Sequence, residues 1–161
     1  VLDTEADTGR VPEQVSWLTA ELGGKDSRAA AFRIVAFHKA PYSNRWDSAG
    51  SKYDGEKWVR DQLVPVFAKG NVDLVIAGHA HTYQRMDKDG VRYLVIGGAG
   101  GRLDRYPTGK WPMDKDFVGH HWGIMHIAPT PRGRQLTWTA KDFDGNVIDA
   151  WDLVERRKTA R

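Results

Sequence analysis

Hydrophobic and polar positions follow two periods along the chain, and they predict an α/β first half. A helical period runs over 12–22 and again over 56–69, where Pro65 predicts a kink or a split helix. Two short apolar runs, 33–37 and 72–77, predict buried strands. The strand–loop–helix–strand unit between them has the length of a βαβ crossover, which predicts that its two strands are parallel.

The second half has a different pattern, with apolar runs of strand length separated by turn-forming residues. Strands are predicted over 93–96, 122–128, 136–140 and 147–153, and Asp144-Gly145 predicts a hairpin turn between the last two. An α/β half followed by a β meander predicts two packed β-sheets flanked by helices.

Composition limits the class of protein. The 161 residues are 40% hydrophobic, which is enough for one core of ordinary size. No run of 18 apolar residues is present, so no membrane-spanning helix is expected. The absence of Cys excludes disulfides, thiolate metal sites and cysteine nucleophiles. The net charge of +3 owes much to a basic tail, 155–161, which we interpret as a solvated terminus. Nucleic-acid binding through that tail is not expected, because the rest of the chain is nearly charge-balanced.

Three histidines follow predicted strands and are the main candidates for chemistry. His38 follows the strand 33–37, and His79 and His81 follow the strand 72–77. Binding sites of α/β sheets lie beyond the carboxyl ends of parallel strands, so these side chains are expected near one another. Neutral imidazole is a common ligand of zinc and iron. A metal site is therefore predicted at this edge of the sheet.

The sequences around these histidines form a distinctive series. Ile34-Val35-Ala36-Phe37-His38-Lys39-Ala40-Pro41-Tyr42 precedes Gly78-His79-Ala80-His81-Thr82-Tyr83-Gln84-Arg85, and the run Tyr93 to Gly100 follows. This series resembles the last two metal-binding blocks of the calcineurin-like metallophosphoesterases, and it is most similar to the purple acid phosphatase branch. The resemblance extends over nearly the whole chain.

The resemblance implies a fold, a metal centre and a reaction. The chain would be the C-terminal portion of a single domain, 1–161, forming a partial four-layer αββα sandwich of two β-sheets flanked by helices. Its enzyme would hydrolyse phosphate esters with two divalent or trivalent metal ions, Fe, Zn or Mn. His38 and His79 would bind one ion and His81 the other. The family also suggests an extracellular or periplasmic location.

Four polar residues beside these blocks are candidates for contacting substrate or orienting the ligands. They are Tyr42, Asn44, Tyr83 and Arg85. The alternative is that they are ordinary loop residues without a role at the site. No residue is assigned as the catalytic acid or base.

The chain departs from the family pattern in the blocks that supply the remaining metal ligands. No Gly is followed by Asp, and the two Gly-Asn pairs, at 70–71 and 145–146, are each followed by Val rather than His. Ser48 stands where plant and animal members place a further histidine. The chain begins at Val1 without a Met, in a strand-like sequence. We therefore expect a preceding segment of the same protein, or a second chain, to complete the site. The alternative is a non-catalytic metal-binding or assembly module.

The remaining histidines of the second half are not expected to form a metal site. His126 shares an apolar strand face with Trp122, Ile124 and Ala128 and is expected to be packed. His120 and His121 are adjacent and are not expected to share a metal.

The glycine run 97–101 is expected to be a structural turn beside the metal loops. Asp3 and Asp73 are expected at strand ends, and Trp46 and Trp58 flank the first histidine loop. If no further segment covers it, the sandwich is expected to leave an apolar face or strand edge uncovered.

Overall fold

The fold consists of three layers in the computed structural model, which describes residues 2–5 and 8–155. Helices cover one face of a five-stranded mixed sheet, and a three-stranded antiparallel sheet packs on its other face. The predicted pair of sheets with helices is therefore confirmed, and the basic tail from residue 156 onward lies outside the described residues.

The elements follow one another in chain order. The helices are α1 (Val11–Gly23), preceded by a 3₁₀ turn (Thr8–Arg10), α2 (Lys25–Ala29) and α3 (Val64–Lys69), preceded by a π-helical turn (Val59–Leu63). The strands are β1 (Ile34–Lys39), β2 (Arg45–Trp46), β3 (Leu74–Gly78), β4 (Tyr83–Lys88), β5 (Val91–Ile96), β6 (Tyr106–Pro107), β7 (Lys115–Phe117), β8 (His121–Thr130), β9 (Gly133–Asp142) and β10 (Val147–Val154).

The second helical pattern is interrupted where Pro65 predicts a disturbance. A π-helical turn over Val59–Leu63 passes into α3, and Pro65 lies in the first turn of α3. Proline is tolerated at that position because the first N–H groups of a helix have no partner within the helix. Leu63 and Phe67 still face the sheet and are fully buried.

The mixed sheet has the order β1-β3-β5-β4-β7. Strand β1 is parallel to β3, and β3 is parallel to β5, which confirms the predicted crossover. Strand β1 is longer than expected, since it continues through His38 and Lys39 rather than ending before them. Strands β4 and β7 were not predicted, because their residues are mostly polar.

The three-stranded sheet confirms the predicted meander, with strand order β10-β9-β8 and a turn at Gly145 of φ +87°. Its inner face packs Trp138 and Ala140 against the mixed sheet. Its outer face exposes Trp122 and Ile124, with no described helix packed there. The expected uncovered apolar face is therefore present among the described residues.

His126 lies on this exposed outer face. The expectation that it is packed is wrong, because its apolar neighbours have no described layer above them. Among the described residues, no helix is long and apolar enough to cross a bilayer.

Candidate metal centre

Two histidines meet where the parallel strands β1 and β3 end side by side. His38 lies on the face of β1 that points away from the helices, because Val35 and Phe37 occupy the other face. His79 directly follows β3 and adopts a left-handed backbone, with φ of +65°. A non-glycine residue in that region costs about 1–2 kcal/mol. Such strain is frequent at functional sites, and here it turns the His79 ring toward His38.

The two imidazoles present nitrogen atoms to each other at a distance that suits one metal ion. The Nε2 atom of His38 lies 3.0 Å from the Nδ1 atom of His79. Two nitrogens each about 2.1 Å from one tetrahedral ion are about 3.4 Å apart, so a small movement of the rings would admit the ion. Burial, and then the neighbouring His38, hold the pKa of His79 below its usual 6.5. A neutral imidazole is the form that binds a metal.

His81 lies beside this pair and is oriented through both its backbone and its ring. Its N–H donates to the Asp104 carboxylate over 2.8 Å, and the Asp104 N–H donates back to the His81 carbonyl over 3.2 Å. Its ring Nδ1–H donates to the Arg102 carbonyl over 2.7 Å. This tautomer leaves Nε2 as the nitrogen that could bind a metal. His81 is not part of the close His38–His79 cluster.

A cavity of about 250 Å³ opens onto the three histidines. Its lining consists of imidazoles, one indole and three charged residues: His38, Trp46, Asp47, His79, His81, Arg102 and Asp104. The Trp46 ring centre lies 5.0 Å from that of His79 and 4.0 Å from that of Tyr53. Trp46 thus borders the site as its position suggested, whereas Trp58 packs against the core under the helices.

The structure places the four polar candidates away from this cavity. Tyr42 is buried against Tyr93 and Trp111. The Asn44 side chain accepts the Trp111 N–H and donates to its carbonyl, fastening two loops together.

Tyr83 and Arg85 lie between the two sheets. The Tyr83 hydroxyl and the Arg85 Nε–H both donate to Asp149, each over 2.8 Å. In the described structure Tyr42, Asn44, Tyr83 and Arg85 each have a framework partner and none of them lines the cavity, which favours the alternative that they have no role at the site.

The glycine run is a structural turn packed against the loop that carries His79 and His81, as expected. A Cβ atom on Gly97 would lie 2.1 Å from the Ala80 carbonyl oxygen, and one on Gly101 would lie 2.6 Å from the His81 ring. Asp73 also has the expected role at a strand end, since its carboxylate accepts the Arg33 N–H.

His121 supports this turn from the other side. The Gly98 N–H donates to its Nε2 over 3.3 Å, and its Nδ1–H donates to the Gly119 carbonyl over 2.8 Å. The ring is buried, and a Cβ atom on Gly98 would lie 2.3 Å from it. Both nitrogens are therefore used within the framework, and His121 is not a ligand candidate.

Acid is expected to weaken the fold through His121. Burial holds its pKa below the usual 6.5, so the unfolded chain binds the proton more readily than the folded chain. The stabilisation is present above pH 6.5 and is lost as the pH falls toward the folded-state pKa, at no more than about 1.4 kcal/mol per pH unit. Thermal unfolding is measured in EDTA between pH 7.5 and 5. The Tm of His121→Gln should depend less on pH than the Tm of wild type. The exposed His126→Gln serves as control, and equal slopes in all three proteins would contradict the assignment.

The sequence analysis missed Asp47 and Arg102 in the cavity lining, and it missed two carboxylates that lie against the histidines. Glu5 places a carboxylate oxygen 3.9 Å from His38 Nε2, and Asp104 is buried beneath His81. Neither lies in a recognisable block. The only available signal for Asp104 was its place shortly after the glycine run.

Comparisons with known proteins find relatives of this chain among the purple acid phosphatases. It is 29% identical over 157 residues to purple acid phosphatase 18 of Arabidopsis thaliana, covering 89% of this chain and 35% of that protein. It is 26% identical to probable inactive purple acid phosphatase 27 of the same plant, covering 95% of this chain and 28% of the relative. The chain thus spans about a third of the length of these relatives. A search of protein-family profiles finds no match.

A solved structure supports the same fold. Purple acid phosphatase PPD1 from yellow lupin (Lupinus luteus) seeds superimposes with a TM-score of 0.69 and 21% sequence identity. The match covers 94% of this chain and 30% of the lupin chain.

Proposed function

Because this chain is related to the purple acid phosphatases, a branch of the calcineurin-like metallophosphoesterases, we propose that it forms part of the metal centre of an enzyme that hydrolyses phosphate esters. The observation that carries the proposal is the 3.0 Å approach of His38 Nε2 and His79 Nδ1 at the carboxyl ends of two parallel strands. Without an ion, one ring donates an N–H to the other over this distance. The position of both nitrogens at a cavity lined by a third imidazole and by charged residues favours a metal site.

The proposed complete centre holds two ions, Fe, Zn or Mn, with His38 and His79 on one and His81 on the other. Bound metal ions would activate water and offset the charge on the attacking and leaving oxygens of the phosphate. A carboxylate that bridges two ions, and further ligands, would come from a part of the protein outside these 161 residues. In this proposal residues 1–161 are the C-terminal part of one metallophosphoesterase domain.

The chain's own residues orient the ligands in this proposal. The Arg102 carbonyl holds the His81 ring in one tautomer, and Asp104 fixes its backbone. The strained turn at His79 fixes the second ring, with Trp46 packed beside it. Because these contacts hold both rings in place, the imidazoles need little rearrangement when metal binds.

A second candidate is a non-catalytic metal-binding or assembly module. The sequence supports it, because no Gly-Asp or Gly-Asn-His block is present in these 161 residues. The related plant protein named as probably inactive points in the same direction.

The deciding experiment compares the 161-residue chain with a longer form that carries the residues preceding it. Phosphate release from p-nitrophenyl phosphate and bis(p-nitrophenyl) phosphate is measured with metal content, for wild type, His79→Ala and His81→Ala. The exposed His126→Ala is the matched control. We expect activity in the longer form and its loss in the first two variants only. Unchanged activity and metal content in both His79→Ala and His81→Ala would overturn the proposal. Turnover by the 161-residue chain equal to that of the longer form would exclude the non-catalytic module.

A further inference from the structure

The segment that precedes α1 brings a carboxylate to the paired imidazoles. Residues 2–4 run beside β1 and are fastened to it at two points: the Leu2 N–H donates to the Ala36 carbonyl over 3.1 Å, and the Lys39 N–H donates to the Thr4 hydroxyl over 2.8 Å. Thr4 is almost completely buried. Because both anchors lie within β1, the next residue, Glu5, must project beside His38.

The two oxygens of Glu5 have different surroundings. Oε2 pairs with the Lys39 ammonium over 3.0 Å, and Oε1 lies 3.9 Å from His38 Nε2. The ligand atoms of Glu5, His38 and His79 all lie within 4.8 Å of one another. Ligands of a tetrahedral zinc ion, each about 2.1 Å from it, are about 3.4 Å apart, so the Glu5 oxygen must move roughly 1 Å toward the imidazoles. The Glu5 side chain is 55% exposed, so it has room to close the small remaining distance.

We propose that Glu5 is a metal ligand, and that Glu5, His38 and His79 together bind one divalent transition-metal ion without ligands from any other segment. Two imidazoles and one carboxylate are the donor set of many zinc enzymes, and they leave coordination positions for water or substrate. Lys39 holds the oxygen that faces away from the ion, in the way that hydrogen-bonding partners orient ligating carboxylates. The proposal deepens the proposed function, since it adds a protein ligand to one of its two metal positions.

The test uses the untagged 161-residue chain titrated with Zn²⁺ against a chromophoric chelator, and with Co²⁺ followed by its visible absorption. We expect one equivalent of metal per chain in wild type, and an affinity at least about 100-fold lower in Glu5→Gln. Glu13→Gln is the matched control, because it makes the same change at an exposed position of α1. Lys39→Met removes the orienting ammonium and keeps the ligand, so its affinity should fall by no more than about 10-fold, well short of the loss in Glu5→Gln.

Thermal unfolding in EDTA checks that the exposed substitutions leave the fold unchanged. Zinc affinity in Glu5→Gln equal to that of wild type would overturn the proposal and reduce Glu5 to a partner of Lys39. Failure of the wild-type chain to bind one equivalent would also overturn it. If Glu5→Gln binds normally while His79→Ala does not, this inference fails and the proposed function stands. If His79→Ala also binds normally, both fail.

Discussion

Replacing Gly97 by alanine is expected to lower the free energy of unfolding by about 3 kcal/mol, and the Tm by roughly 6–12 °C. The new Cβ would lie 2.1 Å from the Ala80 carbonyl oxygen and 2.9 Å from the Ala80 carbonyl carbon. The Gly97 N–H also donates to the Thr82 carbonyl over 3.2 Å. Both neighbours are backbone atoms of the turn that carries His79 and His81, so relief requires that turn to move.

Gly100→Ala provides the matched control within the same glycine run, because its Cβ would meet no atom within 4 Å. It should leave the Tm unchanged or slightly higher, since alanine restricts the unfolded chain more than glycine does. Denaturant unfolding of the two variants gives the comparison. Zinc titration should show weaker binding only in Gly97→Ala. Equal stability of both variants would mean that the glycine turn does not pack tightly against the loop that carries His79 and His81.

The meeting of His38 and His79 could be predicted because it depends on local patterns. Each histidine follows an apolar run of strand length, and the segment between the runs is a crossover that makes the strands parallel. Parallel strands place their carboxyl ends at one edge, and residues there approach one another whatever the loops do. The helix break near Pro65 was equally predictable, since proline lacks the N–H that a helix interior needs.

The role of Glu5 could not be predicted, because it rests on a contact between distant parts of the chain. Thr4 meets Lys39 across 35 residues of sequence, and no local pattern shows that residues 2–4 run beside β1. Asp104 is similar, since its partner His81 is 23 residues earlier and belongs to a different loop. Long-range hydrogen bonds of this kind depend on the assembled fold.

The contacts of Tyr83 and Arg85 with the three-stranded sheet could not be predicted for a different reason. They follow the second histidine block in sequence, but they lie in β4, whose alternation directs both side chains toward the three-stranded sheet. The strand was missed because Tyr83–Lys88 contains mostly polar residues. For His126, strand periodicity correctly predicted which residues share its face. Periodicity does not show whether a further layer covers that face.

Asp149→Ala is expected to destabilise the chain by about 3 kcal/mol, because the carboxylate unites groups from both sheets. It accepts from the Tyr83 hydroxyl and from Arg85 Nε, each over 2.8 Å, and Trp138 Nε1–H donates to that hydroxyl over 3.1 Å. The Asp149 side chain is only 9% exposed, so its removal leaves a guanidinium and a hydroxyl without their main partner in a poorly hydrated place. Asp152→Ala, on the exposed face of β10, should change stability by no more than about 0.5 kcal/mol.

A double-mutant cycle tests whether the contribution of Arg85 to stability depends on Asp149. Once Asp149 is gone, Arg85→Met removes an uncompensated charge, so the double variant should be more stable than the sum of the two single losses predicts, by at least about 1 kcal/mol. Asp114, whose carboxylate lies 3.4 Å from Arg85 and is about half exposed, limits the coupling because it remains a second partner. Urea unfolding of the wild type and three variants gives the four free energies. Additive losses would show that the Arg85 guanidinium does not depend on Asp149, and would reopen its candidacy for the phosphate.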